Sequence, residues 1–358
     1  MRGRRDIERS CRSWAADHNR SDHVRARNSG GFTMSTGDVL LVCSGGGHLR
    51  QLAGFAERLG YLPENQVWVT FRNALSESLL EGRRVIYAPF TAPRDGKNFA
   101  KLVAMSGSVF RHHHFVEAVS TGSSPAVAFL PQAAMRGIPT HYIESAARAD
   151  GPSMTGKIIA RVPRIKTYTQ YPAWADEKWQ YRGSIFDEYE PGPREVTPRT
   201  PRRAVVSVGT QEGYPFTAMI EAIAPLVADM DEVLWQTGDA DVAGLDIDAR
   251  IGVPHAELKA AIRDADVVLT HAGVGAALTA LEAGKHPILL PRRAEQHEHI
   301  DGHQMQVARE LDRRGLATLR LPDALTRDDI VEAAQRSVRV TTPPPFSLLP
   351  TGRARVGG

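Results

Sequence analysis

The chain of 358 residues is poor in cysteine and has no long apolar run. Its two cysteines, Cys11 and Cys43, cannot build a disulfide framework, which fits a reducing cytoplasm. No uninterrupted run of about 18 apolar residues occurs, so the sequence offers no candidate for a membrane-spanning helix. The first 33 residues carry charges where a signal peptide would have an apolar segment, so none is recognised. The sequence therefore predicts a cytoplasmic protein.

Outside the N-terminal segment, the chain also lacks a surplus of either positive or negative charge. The whole chain has a formal net charge of +3, and residues 1–33 alone contribute +4 through eight arginines against four acids. The remainder is nearly neutral, which argues against a nucleic-acid-binding protein. Residues 1–36 lack apolar periodicity and are predicted to be a disordered basic leader. Met34 is an alternative start to Met1, and a tethering function of the leader stays open.

Strand-like and helix-like stretches alternate along the rest of the chain, in two series. In the first series, strands are predicted over 38–43, 66–71, 84–88, 126–130, 140–144 and 164–169, with a helix over about 48–59. In the second series, strands are predicted over 204–209, 232–236, 266–271 and 287–291, and helices over 214–228, 255–264, 274–283, 302–314 and 325–337. The segment between them, residues 190–203, has four prolines and predicts a linker without regular structure.

This alternation predicts the fold class. Strands that alternate with helices form parallel sheets through right-handed crossovers. The expected protein is therefore α/β, with two doubly wound Rossmann-like domains that face a central cleft. The domains are predicted over 37–189 and 204–341, and residues 342–358 are expected to be a disordered tail.

Each domain contains a strand, a glycine-rich corner and a helix, with a histidine beside the glycines. The upstream corner is "VLLVCSGGGHLRQL", residues 39–52, and the downstream corner lies within "VVLTHAGVGAALTALEAGKHPILLP", residues 267–291. The first amides of a helix lack intrahelical partners and attract anions, and glycines let a phosphate approach them. Gly273 and Gly275 are therefore candidates for binding a diphosphate, although tight packing of an ordinary turn would also explain them.

Other phosphate and metal motifs fail. "GVGAAL" (273–278) and "GGGHLR" (45–50) do not fit a dinucleotide fingerprint, and "GPSMTGKI" (151–158) has Ile158 where a P-loop needs Ser or Thr. The histidines of "HHH" (112–114) point in different directions on a helix, and the two "DAD" segments at 239–241 and 264–266 fit solvated loops. "HEHIDGH" (297–303) stays open as a weak zinc candidate. Neither a metal nor a cofactor is predicted.

Against this background the chain resembles glycosyltransferase family 28 of the GT-B group. Its second half is similar to the donor-binding domain of this family, one member of which is the peptidoglycan lipid-intermediate N-acetylglucosaminyltransferase. The similar segments are "VVSVGTQ" (205–211), residues 270–293 and "EHIDGHQMQVARELDRRG" (298–315). Its first half resembles the membrane-recruiting partner subunit of the dolichol-diphosphate-linked N-acetylglucosaminyltransferase, through residues 43–52 and "YIESAARADGPSMTGKII" (142–159). Bacterial exopolysaccharide transferases are similar pairs. The chain therefore looks like a fusion of partner and catalytic subunits.

The resemblance implies roles for the residues of both corners. It makes the first domain the acceptor side, with the loop Ser44, Gly45, Gly46 and Gly47, and the second the donor side. The donor-binding residues it implies are Gly209, Thr210, Gln211, Val253, His271, Ala272, Gly273, Val274, Gly275, Thr279, Arg292, Glu298, His303 and Gln304. Val253 lies in the turn "IGVPH" (251–255), which would hold the uracil edge through backbone groups. Thr279 stands where family members commonly have a ribose-binding glutamate. A donor with a nucleotide other than UDP therefore stays open as an alternative.

The chemistry of sugar transfer requires two kinds of groups. The amides of Val274–Ala276, with His271 and Arg292, are suited to stabilise the leaving diphosphate without a metal. The acceptor hydroxyl must lose a proton, and His48 is the leading candidate for the base because a histidine with a pKa near neutrality suits that role. Glu144, at the end of a predicted strand, is the alternative base. For His48, capping or packing of its own loop also stays open.

The resemblance implies a hexosyltransferase that works with inversion at the anomeric carbon. The donor is expected to be a nucleotide-sugar such as a UDP-sugar. The acceptor is expected to be a saccharide or a lipid-linked saccharide, carried on polyprenyl diphosphate in cell-surface or exopolysaccharide synthesis. Alternatives are an enzyme like the UDP-N-acetylglucosamine 2-epimerases and a non-catalytic sugar-nucleotide-binding protein. The amphipathic stretch 97–115 predicts either a peripheral contact with the inner face of the plasma membrane or a helix packed on its own domain.

Overall fold

The computed structural model describes residues 37–92, 95–195, 200–209, 213–296, 298 and 302–350. The predicted leader 1–36, with Met34, and the last residues of the predicted tail, 351–358, lie outside this range. Thr210 and Gln211, assigned to the donor site from the sequence, lie outside it as well. So do His297, His299 and Asp301 of the weak zinc candidate.

The N-terminal domain is built on a seven-stranded parallel sheet in the order β3-β2-β1-β4-β5-β6-β7. Its strands are β1 (Val39–Cys43), β2 (Gln66–Phe71), β3 (Arg84–Ala88), β4 (Glu117–Gly122), β5 (Thr140–Ile143), β6 (Ile165–Thr169) and β7 (Trp179–Tyr181). Its helices are α1 (Gly47–Arg58), α2 (Ala74–Leu79), α3 (Gly96–His112), α4 (Ser124–Met135) and α5 (Met154–Ile159). The apolar strands β1 and β2 are buried along their whole length, as expected for the centre of a doubly wound sheet.

One predicted strand of this domain is wrong. Residues 126–130, "AVAFL", lie inside helix α4, which begins next to Pro125 and buries Ala126, Phe129 and Leu130. A short apolar run does not distinguish a buried strand from a buried helix. The neighbouring strand β4, "EAVSTG", was not predicted because its serine, threonine and glycine conceal a segment that is buried from Ala118 onward.

The C-terminal domain is built on a six-stranded parallel sheet in the order β11-β10-β9-β12-β13-β14. The strands are β9 (Arg203–Ser207), β10 (Glu232–Gln236), β11 (Ala249–Arg250), β12 (Val267–His271), β13 (Ile288–Leu290) and β14 (Thr318–Leu319). The helices are α6 (Thr217–Val227), α7 (His255–Asp264), α8 (Val274–Glu282), α9 (His303–Arg313) and α10 (Arg327–Ala334). The prediction of an α/β protein with two Rossmann-like domains is confirmed.

The connections between the domains differ from the predictions. The linker 190–203 was expected to contain no regular element, yet its first residues belong to β8 (Tyr189–Pro191), which pairs antiparallel with β15 (Val338–Val340). The expectation of a disordered tail is wrong for residues 342–350. There Phe346 is fully buried between the rings of Phe55 and Tyr168, at centroid distances of 4.8 and 5.7 Å. The chain therefore returns to the N-terminal domain after completing the second one.

The two domains share a hydrophobic core. Leu49 and Leu52 of α1 belong to the same buried cluster as Ala277 and Leu281 of α8. Ion pairs reinforce this contact: Arg50 pairs with Glu282, and Arg314 pairs with Asp187 at 2.9 Å. The carboxyl ends of β1 and β12 consequently face each other, as the fold class predicts for two domains around one cleft.

Helix α3, the predicted amphipathic stretch, uses its apolar face inside its own domain. Leu102, Ser106 and Phe110 are buried with Met105 and Val109, while Val103 is exposed. Gln132 of α4 donates a hydrogen bond to the carbonyl of Val103 at 3.0 Å. The packed-helix alternative therefore accounts for most of this face. In the described part of the chain, no helix combines the length and apolarity that crossing a membrane requires.

Candidate functional site

The downstream glycine corner places free helix amides at the carboxyl edge of the second sheet. Strand β12 ends at His271, and Gly273 is the N-cap of α8 without any side-chain hydrogen bond to the first turn. The amide groups of Val274–Ala276 therefore point out of the helix start, where the helix dipole adds partial positive charge. This is the geometry of an anion-binding helix start.

The imidazole of His271 lies between two glycines. A Cβ built on Gly209 or on Gly273 would come within 2.5 Å of the His271 ring. The Nδ1 of His271 is 3.4 Å from the carbonyl oxygen of Ser207, the last residue of β9. A side chain at position 209 or 273 would displace the His271 ring. Both glycines are therefore needed to keep this ring beside the helix start.

Arg292 brings a buried positive charge to the same edge. It follows β13, is 2% exposed, and donates one hydrogen bond from Nη2 to the carbonyl of Val208 at 2.9 Å. Its Nε and Nη1 have no hydrogen-bond partner among the described residues. Burial lowers the pKa of Arg292 to about 10, against the opposing effect of the acids Glu298 and Asp239. A buried guanidinium without a direct carboxylate partner is costly, and a bound anion would compensate it.

Gln304 and Glu298 organise the backbone around Arg292. The side-chain oxygen of Gln304 accepts a hydrogen bond from the amide of Arg292 at 3.1 Å. A carboxylate oxygen of Glu298 accepts one from the amide of Arg293 at 2.8 Å. His303 is the first residue of α9, next to Gln304. These predicted donor residues therefore surround one loop, and Glu298 and Gln304 act on its backbone.

Two further predicted donor residues are buried in the second domain. Val253 is buried between β11 and the start of α7. Thr279 is buried one turn into α8, and its hydroxyl donates to the carbonyl of Gly275 at 2.9 Å. The Thr279 hydroxyl proton is therefore engaged within its own helix. The nearest acid on this helix, Glu282, is engaged with Arg50 and with Lys259.

The upstream corner meets the downstream corner across the domain boundary. Ser44 donates its amide to the carbonyl of Gly122 at 2.9 Å, and Gly46 has a positive φ of 64°, a conformation that favours glycine. Helix α1 begins at Gly47. A Cβ built on Gly47 would lie 3.5 Å from the backbone nitrogen of Gly275. Two helix starts, one from each domain, therefore adjoin.

His48 lies beside this junction in a fixed tautomer. Its Nδ1 is 2.6 Å from the carbonyl oxygen of Thr121, which can only accept, so Nδ1 carries the proton and Nε2 has a free lone pair. Burial lowers the pKa of His48 to about 4, and His303 and Arg148 act in the same direction. This pKa lies below the near-neutral value that suits a general base best. The side chain is neutral at pH 7 and able to accept a hydrogen bond.

Glu144 is enclosed by its own loop. Its carboxylate accepts hydrogen bonds from the hydroxyl of Tyr142 at 3.1 Å, from the amide of Ser145 at 3.0 Å, and from the amide and hydroxyl of Ser153 at 2.9 and 3.0 Å. Only 1% of Glu144 is exposed, and burial raises its pKa against these donors. The geometry favours a role in shaping the 145–153 loop over proton transfer.

Sequence reasoning missed the buried glutamines that connect the loops of the acceptor side. The Nε2 of Gln51 donates to the carbonyl of Gly47 at 3.0 Å and to the hydroxyl of Ser145 at 3.1 Å. Its oxygen accepts from the amide of Ala146 at 2.7 Å and from Gln170 at 2.8 Å. A signal was present: Gln51 interrupts the apolar residues that α1 buries. A buried amide surrounded by apolar residues must find partners, and here they are the loops that frame the site.

The described residues contain no group of three or more side chains suited to hold a metal ion. Within the "HHH" segment, His112 lies on α3 and its Nδ1 donates to the carbonyl of Ser108 at 2.8 Å. Asp239, in one of the "DAD" segments, accepts a hydrogen bond from the amide of Gly213 at 2.7 Å.

Comparison with known proteins shows what this chain is similar to in sequence and in fold. Residues 203–337 match the glycosyltransferase family 28 C-terminal domain. Solved structures of similar fold include MurG of Acinetobacter baumannii, with 15% identity over 83% of this chain and 93% of that one and a TM-score of 0.54. Another is MnaA of S. aureus in a structure with UDP, with 12% identity over 83% and 94% of the chains and a TM-score of 0.52.

The glycosyltransferase of kitacinnamycin has the same fold, with 17% identity over 84% and 90% of the chains and a TM-score of 0.53. No curated protein sequence matches the chain. Identities this low establish the fold alone, whereas the domain match covers the downstream corner and the predicted donor residues from Gly209 to Gln304. The chain therefore has a two-domain fold of the GT-B type, in which residues 203–337 match the glycosyltransferase family 28 C-terminal domain.

Proposed function

We propose that the protein is an inverting, metal-independent hexosyltransferase that moves a sugar from a nucleotide-diphosphate donor to a hydroxyl acceptor. One observation carries the proposal: the start of α8 adjoins the start of α1, within 3.5 Å of a Cβ built on Gly47. A donor diphosphate at the start of α8 would then have its sugar next to His48, at the start of α1. The family 28 domain supports this assignment of the donor side.

The donor diphosphate binds the amides of Val274–Ala276, beside His271. Charge develops on this leaving group during transfer, and fixed dipoles stabilise it without rearrangement. The buried guanidinium of Arg292 adds a positive charge at the same edge, and its Nε and Nη1 have no hydrogen-bond partner among the described residues. The nucleoside extends toward Val253 and Thr279. A UDP-sugar is the proposed donor, supported by the fold shared with a protein solved with UDP.

Transfer forms a bond between the acceptor oxygen and the anomeric carbon, and breaks the bond from that carbon to the diphosphate. The electron pair of the broken bond leaves with the diphosphate. The acceptor proton passes to Nε2 of His48, whose orientation the Thr121 carbonyl fixes. With its pKa lowered to about 4, His48 is a weak base that stays in its accepting form across neutral pH. Strong stabilisation of the leaving group on the donor side complements such a base.

The proposed acceptor is a saccharide linked to polyprenyl diphosphate at the cytoplasmic face of the plasma membrane, in the synthesis of a cell-surface polysaccharide. The N-terminal domain, similar in its motifs to a membrane-recruiting subunit, supplies both the acceptor loop 44–47 and the contact with the membrane. Because α3 buries most of its apolar face, this peripheral contact depends on its exposed lysines, such as Lys97 and Lys101. The chain thus unites the roles of a partner and a catalytic subunit.

Two measurements test the proposal. A thermal-shift screen against UDP, GDP and dTDP, each with and without a sugar, identifies the donor, because a ligand of the folded state raises the apparent stability. A radiolabelled sugar from the best donor is then offered to a membrane lipid fraction. Transfer to lipid supports the proposal. Turnover of the donor without any acceptor points to an epimerase or hydrolase, and binding without turnover to a sensor.

A further inference from the structure

An exposed aromatic side chain lies at the carboxyl edge of the N-terminal sheet, on the same edge as the upstream glycine corner. Phe90 follows β3 and is 68% exposed, whereas phenylalanine is usually buried. Its ring meets that of buried Phe71 edge-on, with centroids 5.4 Å apart. Phe71 is the last residue of β2, which pairs with β1 directly before residues 44–47. The exposed ring is therefore supported by the sheet and not by a loop alone.

Polar side chains lie at the ends of the same two strands, β2 and β3. The guanidinium of Arg72 lies 4.1 Å from the centroid of the Tyr87 ring, in a cation–π contact. It also pairs with Glu77 at 2.8 Å, and both charged side chains are more than half exposed. We call Phe71, Arg72, Tyr87 and Phe90 the aromatic ledge. It combines an exposed apolar ring with hydrogen-bonding groups that water or a ligand can reach.

The ledge is connected to the glycine corner through Asn73. The Asn73 side chain caps α2, accepting from the amide of Ser76 at 2.8 Å, and its amide nitrogen would be 2.3 Å from a Cβ on Gly45. Neighbouring strands are about 4.8 Å apart, so β3 ends roughly 10 Å from the end of β1. A ligand bound on the ledge would therefore lie roughly 10 Å from the start of the upstream glycine corner.

We propose that the aromatic ledge binds a sugar ring of the acceptor, one that is not itself glycosylated. This inference rests on the proposed function and specifies its acceptor as an oligosaccharide with a sugar beyond the reacting one. A flat aromatic surface packs against the apolar face of a sugar ring, while Arg72, Glu77 and Asn73 can bond its hydroxyls. A lipid surface would require a wider apolar patch than one ring flanked by these polar side chains.

The test uses the full chain and the substitution Phe90→Ala, with Phe90→Trp as the conservative variant. The control is Val116→Ala, which removes an exposed apolar side chain at the opposite, amino edge of the sheet. With a lipid-linked disaccharide acceptor, Phe90→Ala should raise KM about five- to tenfold at unchanged kcat. With a lipid-linked monosaccharide its KM should match the wild type. Phe90→Trp should restore the KM, and Val116→Ala should change neither value.

A binding measurement separates failure of the ledge from failure of the proposed function. Cellobiose, N,N′-diacetylchitobiose and maltotriose are titrated into wild type and Phe90→Ala, followed by ligand-observed NMR, without any donor. A saccharide bound by wild type and weakened about fivefold or more by Phe90→Ala supports the ledge even if no transfer is detected. Equal binding by both proteins overturns it, as does equal KM with long and short acceptors. Loss of vesicle binding in Phe90→Ala without loss of saccharide binding overturns it in favour of a membrane contact.

Discussion

A Cβ placed on Gly47 would lie 3.5 Å from the backbone nitrogen of Gly275, although the two glycines belong to different domains. Each begins or adjoins the first turn of a helix, and each follows a strand that ends at the cleft. The contact brings two sets of unpaired helix amides together at one place. A reaction that releases a diphosphate next to an acceptor hydroxyl needs this kind of junction.

The substitution Gly275→Ala tests whether the helix start binds the donor. A Cβ on Gly275 would meet the Cα of Gly47 at 3.6 Å, an ordinary van der Waals distance, so the fold should tolerate it. Removing a helical glycine should even stabilise α8, by about 0.5–1 kcal/mol. The methyl group nevertheless narrows the approach to the amides, and Kd for the donor should rise about tenfold, measured by calorimetry.

Gly273→Ala provides the contrast to this variant. There the added Cβ would lie 2.5 Å from Nε2 of His271, so the imidazole must move and stability should fall by about 1–3 kcal/mol. Unchanged donor affinity in Gly275→Ala would place the diphosphate away from this helix start.

Replacing His48 by Ala should lower kcat about 10²- to 10⁴-fold while leaving donor Kd within about twofold. The wild-type rate should vary little between pH 5.5 and 8, since the pKa of His48 is lowered to about 4 and the base is already deprotonated. Initial rates over this range, at saturating donor, give the profile. A rate that rises by tenfold or more through pH 6.5 would assign the limiting proton to a group of ordinary pKa.

Glu144→Gln tests the alternative base and is the matched control for His48→Ala. The amide keeps one acceptor oxygen in place of two, so one of the hydrogen bonds from Ser145 or Ser153 is lost and stability should fall by about 1–3 kcal/mol. The kcat of the folded variant should stay within tenfold of wild type. A loss as large as that of His48→Ala, in protein that remains folded at the assay temperature, would make Glu144 the base.

The fold could be predicted from the sequence because strands and helices of both sheets have local signals. Strands 66–71, 84–88 and 232–236 and helix 255–264 have the predicted bounds. The failures have local causes as well. "AVAFL" is apolar enough for either element, and "EAVSTG" is a strand only because neighbours on both sides bury it.

The candidate site was predictable only in part. The glycine corners follow from local patterns, but the contacts that join them do not. Arg50 pairs with Glu282 across 232 positions of sequence, and Gln51 meets Gln170 across 119. Such partners are set by how the domains pack. The buried phenylalanine of the tail, Phe346, was likewise hidden by the prolines and glycines around it, which suggested disorder.

Arg292→Met should separate stability from donor binding. The variant removes a buried guanidinium, two of whose nitrogens have no hydrogen-bond partner among the described residues. The apolar replacement packs against Phe216, whose ring centroid is 5.4 Å from the guanidinium carbon. Stability without ligand should therefore be equal or higher, because an unpaired buried charge costs free energy. Donor Kd should rise by about tenfold or more, since the loss of one charged contact costs roughly 1.5–3 kcal/mol.

Arg313→Met is the control for that variant, since Arg313 is 69% exposed and pairs with Glu310 of its own helix α9. Urea unfolding of the free proteins and titration with the donor nucleotide give the two quantities. If Arg292→Met were strongly destabilised yet bound donor as tightly as wild type, Arg292 would be a structural residue only.

Acidification should destabilise the protein below pH 6.5 through histidines that are neutral when folded. Burial, assisted by Arg336, lowers the pKa of His286 to about 4, and its Nε2 lies 3.0 Å from the hydroxyl of Thr318. Unfolding restores a pKa near 6.5, so between pH 6.5 and 4 the unfolded chain binds a proton that the folded one does not. Stability is therefore complete above pH 6.5 and falls by about 1.4 kcal/mol per pH unit for each such histidine.

His286→Gln isolates one of these protons. At pH 7.5 it should be modestly less stable than wild type, because the hydrogen bond with Thr318 is altered. Between pH 6 and 5 its free energy of unfolding should fall by about 1.4 kcal/mol less than that of wild type, measured by urea unfolding at each pH. The pKa of His48 is lowered in the same direction, so the free energy of unfolding of the variant still falls with acidification because of His48. Parallel curves for the two proteins would mean that His286 titrates normally, and hence that it is open to water in solution.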